Sequence, residues 1–460
     1  MDVVHDRESI IAEEEEDRIS NLPDEIIHQI LSFLDMKFAI QTSTLSKKWK
    51  HIWTSMPYLK FNSQVFHTMP QFAKFVKHVL SHRNQRIEAS AVDLTFTGAP
   101  NQFVVRSILN YAYSHNVKQL TVIWLTKKVL EFPQSLFRSQ TLKHLTLATN
   151  EQSVIGRSIP TYAWDFPALE TLNLSNMQFG YNKDEILNPF SKCANLKDLT
   201  LHRFTMNYLD IFHICAPQLS NLTITDPTGF PMIFNVVAPL LENLTASVDA
   251  YHYGGFANYL RLSTEGLDSL EQVNLSMSRS KFKNCIKEID VPHLLDLFQK
   301  LSSVKVLILD MAIIQALPSC LDQLLLEPCP FNNLKCLKID KPPLKQKDHI
   351  PTMPIQFINY FLESSPSVPF IMDIPQEWRI EWKSKSKASK QNRNTQHDRV
   401  VFKHIEVSNT VTQHRKRLEK DLCRPVTASE IYDRTHTVAL RSLRLQEASI
   451  NGVVRDFFNR

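Results

Sequence analysis

The chain has 460 residues and a net charge of +5, with 43% hydrophobic and 22% charged residues, as is typical of a globular protein with a sizeable core. Its length suggests about three folded units at ~150 residues each. Only 8 glycines occur, which argues against glycine-rich phosphate loops, and no apolar run approaches the ~20 residues that span a membrane. We therefore expect no membrane association.

The seven cysteines include no CxxC pair and no metal-ligand spacing, and the histidines keep no fixed spacing to Asp, Glu or Cys. We predict no metal site and no cofactor. The odd cysteine count and the lack of a secretory leader are typical of a reducing compartment. We expect the chain inside the cell, in the nucleus, the cytoplasm or both.

The N-terminal part divides into a lead-in and a helical block. Residues 1–16 end in an acidic run, Glu13–Glu16, which predicts a disordered segment. From residue 17 to 62 the chain is rich in apolar residues at helical spacing. Asn21 and Asp24 form a capping-box pattern that predicts a helix start, with Pro23 in the first turn.

Two apolar stripes follow in this block. They comprise Ile26, Ile27, Ile30, Leu31 and Leu34, and then Leu45, Trp49, Ile52 and Trp53. Three short helices cannot bury so much apolar surface by themselves. We therefore expect part of it to face a partner, with a plain helical subdomain packed on the next domain as the alternative.

The same block resembles the F-box of plant proteins. The resemblance is carried by Ile19–Glu25 (ISNLPDE), Ile30–Leu34 (ILSFL), Leu45–Trp49 (LSKKW) and Trp53. One position departs from the family, since Lys48 stands where arginine is usual; lysine keeps the charge but loses the planar, bidentate donor. The resemblance implies binding to the Skp-type adaptor of an SCF (Skp–cullin–F-box) ubiquitin ligase.

The resemblance also assigns residues to the adaptor interface. Leu22 and Pro23 would dock on the adaptor, with the others packing in or beside the interface. The predicted set is Leu22, Pro23, Ile26, Ile30, Leu31, Leu34 and Trp49.

Residues 63–90 predict a linker helix that joins this block to the next domain. Its apolar stripe comprises Phe72, Phe75, Val76, Val79 and Leu80.

A short apolar alternation recurs from residue 91 onwards. Its ten copies begin at Val92, Val117, Leu142, Leu169, Leu196, Leu219, Leu241, Leu270, Val304 and Leu334, and most read L-x-x-L-x-L. The intervals from Leu142 to Leu270 are 27, 27, 23, 22 and 29 residues, which are leucine-rich-repeat spacings. We predict a solenoid over residues 91–375, in which one strand per repeat stacks into a curved parallel sheet.

The residues between the leucines should point to the concave, solvent-facing side. That surface is polar and mostly uncharged, which suits recognition of a protein surface, although a Thr/Asn ladder without a ligand would look the same. The candidate target-binding residues are His144, Thr146, Thr171, Asn173, Asp198, Thr200, His202, Asn221 and Thr223.

The C-terminal part is basic. Leu362–Pro366 (LESSP) resembles the start of the FBD-type region that follows the repeats in plant F-box/leucine-rich-repeat proteins, but the rest of that region is not evident. Residues 376–400 read as a basic linker. Residues 401–460 are a basic accessory segment, a transposon-derived fusion or a mispredicted exon; His414–Arg417 is interpreted as a solvated helix face.

These features predict an α/β protein with an N-terminal three-helix F-box, a leucine-rich-repeat solenoid and a basic, partly disordered tail. We expect a non-catalytic substrate receptor of an SCF-type ubiquitin ligase, whose partners are the Skp-type adaptor, the cullin and an unidentified target protein. Three alternatives stay open: an F-box scaffold outside ubiquitin transfer, a hormone receptor, and nucleic-acid binding through the tail.

Overall fold

The computed structural model describes residues 22–84, 86–97, 102–125, 132–149, 158–159, 164–179, 188–206, 211–226, 233–249, 260–262, 269–278, 297–310, 313, 329–340, 360–361 and 371–373. All of them belong to one compact unit. The predicted lead-in, the basic linker, the tail, Asn21 and the Leu362–Pro366 motif lie outside the described residues.

Five α-helices occupy the first quarter of the chain. They are α1 (Asp24–Leu31), α2 (Met36–Gln41), α3 (Trp49–Ile52), α4 (Met69–His82) and α5 (Gln102–Ser114). The three short helices α1 to α3 form the predicted N-terminal block, together with 3-10 turns at Thr42–Thr44 and Trp53–Ser55.

The predicted start of α1 is wrong by two residues, since the prediction placed the N-cap at Asn21. Pro23 has φ −56° and ψ 149°, so it lies at the N-cap position rather than in the first turn, and no side chain caps the helix. The amides of Ile26 and Ile27 both donate to the Pro23 carbonyl. The helix also ends at Leu31, because the chain turns there, and Leu34 lies beyond it, packed against the core.

The second predicted stripe is only partly correct. Trp49, Ile52 and Trp53 are buried, but α3 spans four residues and continues as a 3-10 turn. Leu45 is 63% exposed, because residues 42–44 form a separate 3-10 turn that takes Leu45 out of the helical register.

Within residues 63–90, where a linker helix is predicted, the structure has α4. Thr68 caps it by accepting a hydrogen bond from the Gln71 amide, and Pro70 lies in its first turn, where its missing N–H costs nothing. Phe72, Val76 and Val79 are buried, as predicted. The sequence reading missed α5, whose buried residues are Val104, Val105, Ile108, Leu109, Tyr111 and Ala112.

A twelve-stranded sheet follows, and all of its neighbouring strands pair in parallel. Its strands, in spatial order, are β1 (Tyr58–Asn62), β2 (Ala91–Thr97), β3 (Gln119–Leu125), β4 (His144–Thr149), β6 (Thr171–Ser175), β8 (Asp198–His202), β11 (Asn221–Thr225), β13 (Asn243–Asp249), β15 (Gln272–Ser278), β16 (Val306–Asp310), β17 (Cys336–Asp340) and β18 (Ile371–Asp373).

Each of the ten predicted repeat copies contains one of these strands, from β2 to β17. From β4 onwards each strand begins two residues after the leucine or valine that opens its copy. In β8 the side chains of Leu199 and Leu201 are buried, while Asp198, Thr200 and His202 are half-buried on the opposite face. This alternation follows from the two-residue period of a strand. We call the second face the exposed sheet face.

From β4 onwards the opening leucine or valine of each copy is buried just before its strand, for example Leu196 ahead of β8. The residue after it starts the pairing, since the Lys197 amide donates to the Glu170 carbonyl of the neighbouring copy. Burial of leucines on one face therefore sets the register across the whole sheet.

Two small parallel sheets were not predicted. One has the order β10 (Ile211–Cys215), β12 (Ile233–Val237) and β14 (Leu260–Leu262); the other has β5 (Ser158–Ile159), β7 (Gln178–Phe179) and β9 (Thr205–Met206). Phenylalanines pack beneath them, with ring centroids 5.1 Å apart for Phe179 and Phe212 and 5.5 Å apart for Phe204 and Phe234. These rings fill the space between the small sheets and the leucines.

The helical block and the sheet share one apolar core. β1 lies inside the predicted block of residues 17–62, yet it pairs with β2, so the sheet begins before residue 91. Buried residues from Ile27 to Phe361 form a single cluster. The predicted domain limits stay a prediction. No helix among the described residues is long and apolar enough to cross a membrane.

Candidate functional site

The helical block carries an exposed apolar surface formed by Ile26, Ile30, Phe33 and Leu45. Their exposed fractions are 42%, 42%, 74% and 63%. The arrangement follows from helix geometry, because Ile27 and Leu31 occupy the same i, i+4 spacing on the buried side of α1. Ile26 and Ile30 therefore remain on the outer side, next to the turn that carries Phe33.

The predicted adaptor residues fall into three groups in this structure. Pro23, Ile26 and Ile30 are exposed, and Leu22 and Leu34 are half-buried at the edge of the core. Leu31 and Trp49 are only 0% and 4% exposed, so in this chain they support the surface from beneath. Contact of any of them with an adaptor stays a prediction.

The sequence reading left Phe33 and Leu45 out of the predicted interface, although both are more exposed than Ile26. Phe33 lies just after α1, where a helical stripe no longer indicates its direction. Leu45 belongs to the second predicted apolar stripe, whose other three residues are buried. The sequence did contain a signal for both residues. Phe33 and Leu45 belong to the motif segments that carry the F-box resemblance, so they could have been included in the predicted interface.

Polar contacts hold the ends of this block together. Lys48 Nζ donates to the Leu22 carbonyl at 2.5 Å and lies 3.4 Å from Asp24 Oδ1. His28 Nε2 lies 3.2 Å from the Ile52 carbonyl and 3.1 Å from Ser55 Oγ. These contacts connect α1 to the segments that precede and follow α3. Lys48 therefore makes a structural contact at the position where the resemblance expects arginine.

The exposed sheet face contains all nine predicted target-binding residues. His144 and Thr146 lie on β4, Thr171 and Asn173 on β6, three on β8, and Asn221 and Thr223 on β11. His144 is exposed and the others are half-buried. Their parallel register places His144, Thr171, Asp198 and Asn221 in one row across four strands. Whether they bind a target is untested.

A hydrogen-bonded ladder links this row. Asn243 Nδ2 donates to Asn221 Oδ1 at 2.7 Å, and Asn221 Nδ2 donates to Asp198 Oδ1 at 2.5 Å. From the other side, Thr171 Oγ1 donates to Asp198 Oδ2 at 3.4 Å. Both oxygens of the Asp198 carboxylate are therefore held by neighbouring strands.

A row of charged residues runs just before the strands. Lys143 Nζ lies 2.7 Å from Glu170 Oε1, and Lys197 Nζ lies 3.6 Å from Glu170 Oε2. Farther along, Lys305 pairs with Glu271. The hydrogen bond from Lys143, and then the charges of Lys143 and Lys197, lower the pKa of Glu170. These pairs cross from one repeat to the next.

Two of the described cysteines, Cys193 and Cys215, are poor nucleophiles. Cys193 is buried, and burial raises the pKa of its thiol to about 12. Burial also raises the pKa of the half-buried Cys215. Thiolate, the reactive form, is therefore scarce at neutral pH. Among the described residues, no group of three or more His, Cys, Asp or Glu could hold a metal ion.

Residues 19–61 match the F-box domain family. An F-box/LRR-repeat protein of Arabidopsis thaliana is 32% identical over 214 residues, which are 46% of this chain and 68% of that protein. A putative FBD-associated F-box protein is 31% identical over 216 residues, and an F-box/FBD/LRR-repeat protein is 29% identical over 210 residues, both from the same plant. These matches cover 47% and 45% of this chain and 49% and 47% of those relatives.

The chain thus spans about half the length of two of these relatives and about two thirds of the third. The F-box helices, the long parallel sheet and these similarities agree with one another. The chain belongs to the plant F-box/FBD/LRR-repeat family.

Proposed function

We propose that this protein is a substrate-receptor subunit of an SCF-type ubiquitin ligase, working in the nucleus or the cytoplasm. Its F-box binds a Skp-type adaptor, through which a cullin is recruited, and the exposed sheet face binds a target protein. Other subunits carry the chemistry, so this chain contributes proximity and orientation.

The observation that carries the proposal is the apolar surface of Ile26, Ile30, Phe33 and Leu45. Large apolar side chains clustered on the surface of a small helical block are characteristic of a docking site. The surface belongs to the residues that match the F-box family, which supports a Skp-type adaptor as the occupant. An amphipathic helix laid into an apolar groove is one general way to form such a contact.

The exposed sheet face supports the second half of the proposal. It presents hydroxyl, amide and imidazole groups in a fixed register over several strands. A broad polar surface of this kind can form many hydrogen bonds with a protein partner.

The test is capture of a purified plant Skp-type adaptor and cullin by the purified full chain. The most informative variant is Phe33→Ala, because Phe33 is 74% exposed and its loss leaves the core intact. Phe103 on α5 is also 74% exposed, so Phe103→Ala is a matched control with the same chemical change outside the F-box. The Leu22→Ala/Pro23→Ala double variant tests the two residues that the motif places at the docking edge.

We expect the wild-type chain and Phe103→Ala to capture both proteins. Phe33→Ala should weaken adaptor binding by about tenfold or more, since a large apolar side chain in an interface commonly contributes over 1 kcal/mol. Failure of the folded wild-type chain to bind the adaptor would overturn the proposal. Equal loss in both phenylalanine variants would show that the F-box surface is not the cause.

A further inference from the structure

We propose that Asp198 is the anchor of the target-binding surface, and that it receives an arginine or lysine side chain of the target protein. This inference rests on the proposed function, because it names the chemistry of the partner that the exposed sheet face binds. Three observations carry it: the position of Asp198, its charge and its rigidity.

Asp198 is the one carboxylate on the exposed sheet face of four neighbouring strands. On β4, β6, β8 and β11, the remaining residues of this face are uncharged or are histidines. They are His144, Thr146, Ala148, Thr171, Asn173, Ser175, Thr200, His202, Asn221, Thr223 and Thr225. Asp198 is the first residue of β8, so it lies at the edge of the face next to Lys197 and gives that face its negative charge.

Asp198 also differs from three neighbouring carboxylates, which each have a cationic partner. Glu170 pairs with two lysines, Glu271 pairs with Lys305, and Asp226 lies 3.5 Å from Arg203 Nε. Among the described residues, no Lys, Arg or His nitrogen lies within 4.0 Å of the Asp198 carboxylate. No described side chain therefore neutralises its half-buried negative charge.

The neighbouring strands hold this carboxylate in place. Asn221 and Thr171 donate to its two oxygens from opposite sides, and Asn221 is itself oriented by Asn243. A carboxylate can accept about four hydrogen bonds, so two donors leave room for a guanidinium or an ammonium group. Because the ladder already fixes the side chain, little further ordering is needed on binding.

The chemistry of the occupant follows from these three points. An acidic or neutral side chain over Asp198 would leave the charge desolvated and unpaired, which is costly. A basic side chain would form a charge-assisted hydrogen bond, which is stronger and shorter than a neutral one. Hydroxyl groups of Thr171 and Thr200 lie on the same face and can accept its remaining donors.

The experiment is a selection of random peptides displayed on phage against the immobilised full chain, run in parallel on wild type and Asp198→Asn. Asparagine keeps the size of the side chain and one carbonyl acceptor but removes the charge. Glu271→Gln is the matched control, since it changes the net charge equally at an exposed carboxylate outside the exposed sheet face. Adaptor capture is measured on the same protein preparations.

We expect wild type and Glu271→Gln to enrich peptides with Arg or Lys at one recurring position, and Asp198→Asn to lose that enrichment. Individual selected peptides should bind Asp198→Asn about tenfold or more weakly, which corresponds to about 1.4 kcal/mol, and the difference should shrink at high salt. Asn221→Ala, which removes one donor to Asp198, should weaken the same peptides by a smaller factor.

Equal basic enrichment on Asp198→Asn, an absence of basic enrichment, or a selection without binders would each overturn the inference. Adaptor capture reports independently on the proposed function. If adaptor capture persists while the enrichment is absent, the inference alone is wrong. If adaptor capture fails while Asp198 still selects basic peptides, the ubiquitin-ligase role is wrong, but the inference that Asp198 binds a basic side chain is supported.

Discussion

Arg83 and Tyr111 form a buried hydrogen bond between the end of α4 and the last turn of α5. Arg83 Nε donates to the Tyr111 hydroxyl at 2.9 Å, and a second guanidinium nitrogen donates to the Met56 carbonyl at 2.5 Å. Arg83 is only 3% exposed. One side chain thus joins the last turn of the F-box to the two helices that pack beside the first strands of the sheet.

Replacement of the buried Arg83 should therefore destabilise the protein. In Arg83→Met the Met56 carbonyl and the Tyr111 hydroxyl stay buried without this donor, which costs about 1–3 kcal/mol. Tyr111→Phe removes only the hydroxyl and should cost about 1 kcal/mol. Urea unfolding measures both, with exposed Arg86→Met as the control. Equal stability of Arg83→Met and Arg86→Met would contradict the assigned role.

Replacement of Lys48 should affect adaptor binding but not the stability of the fold. Its contacts with Leu22 and Asp24 are on the surface, where an ion pair contributes about 0–1 kcal/mol. We expect Lys48→Ala to leave the unfolding free energy almost unchanged but to weaken adaptor capture several-fold, because Leu22 loses its support. Lys48→Arg should restore capture, since a guanidinium can reach both acceptors.

The exposed Lys50 on α3 offers the control for this experiment. Lys50→Ala removes the same charge two residues away and should not change adaptor capture. If Lys48→Ala and Lys50→Ala weaken capture equally, net charge rather than the position of Leu22 is responsible.

Cys193 should be almost inert to alkylation in the folded protein. With its pKa raised to about 12 by burial, a fraction of about 10⁻⁴ is thiolate near pH 8. We expect iodoacetamide to label Cys193 only after urea unfolding, as measured by mass spectrometry of the digested chain. Rapid labelling in the native state would show that the thiol is accessible and that the core around it opens.

The same thiol should make stability depend on alkaline pH. Its pKa is higher in the folded state than the ordinary value of 9.0, so the folded chain holds the proton more tightly. The contribution is complete below pH 9 and is lost as the pH rises towards about 12. Cys193→Ala should therefore lose less stability than the wild type over this interval in urea unfolding.

Glu170 should give the opposite pH dependence. Lys143 and Lys197 lower its pKa in the folded state, so its contribution is present above the unfolded value of 4.5 and disappears as the pH falls through the folded value. Glu170→Gln should be slightly less stable than the wild type at neutral pH and equal to it in acid. Added salt should reduce the difference, because the pair is partly exposed. Thermal unfolding measures it, with the exposed Glu88→Gln as the control.

The sequence by itself determined the repeat architecture and the family. Leucines at L-x-x-L-x-L spacing can be buried together only on one side of a strand, so the period alone predicts ten stacked strands, and all ten are present. The F-box was identifiable because its motif combines turn, helix and tryptophan signals over a short distance. Both features depend on local spacing, which a sequence displays directly.

The tertiary structure decided the features that depend on neighbours distant in the chain. β1 joins the sheet by pairing with β2, which lies more than twenty residues later in the chain. Arg203 adopts a left-handed conformation, with φ 46°. Its backbone amide donates a hydrogen bond to the Thr225 carbonyl, and its side chain pairs with Asp226, which follows β11. Neither arrangement has a local signal, since each is stabilised by contacts across repeats.

The candidate sites also combine features that local spacing predicts with features that depend on distant neighbours. The sequence indicated which residues lie on the exposed sheet face, because alternation determines the side of a strand. Only the packed structure showed that Phe33 and Leu45 are exposed, and that Asp198 is held by Thr171 and Asn221 without a cationic partner among the described residues. Exposure and pairing are properties of assembled neighbours, and residues more than twenty positions apart supply them here.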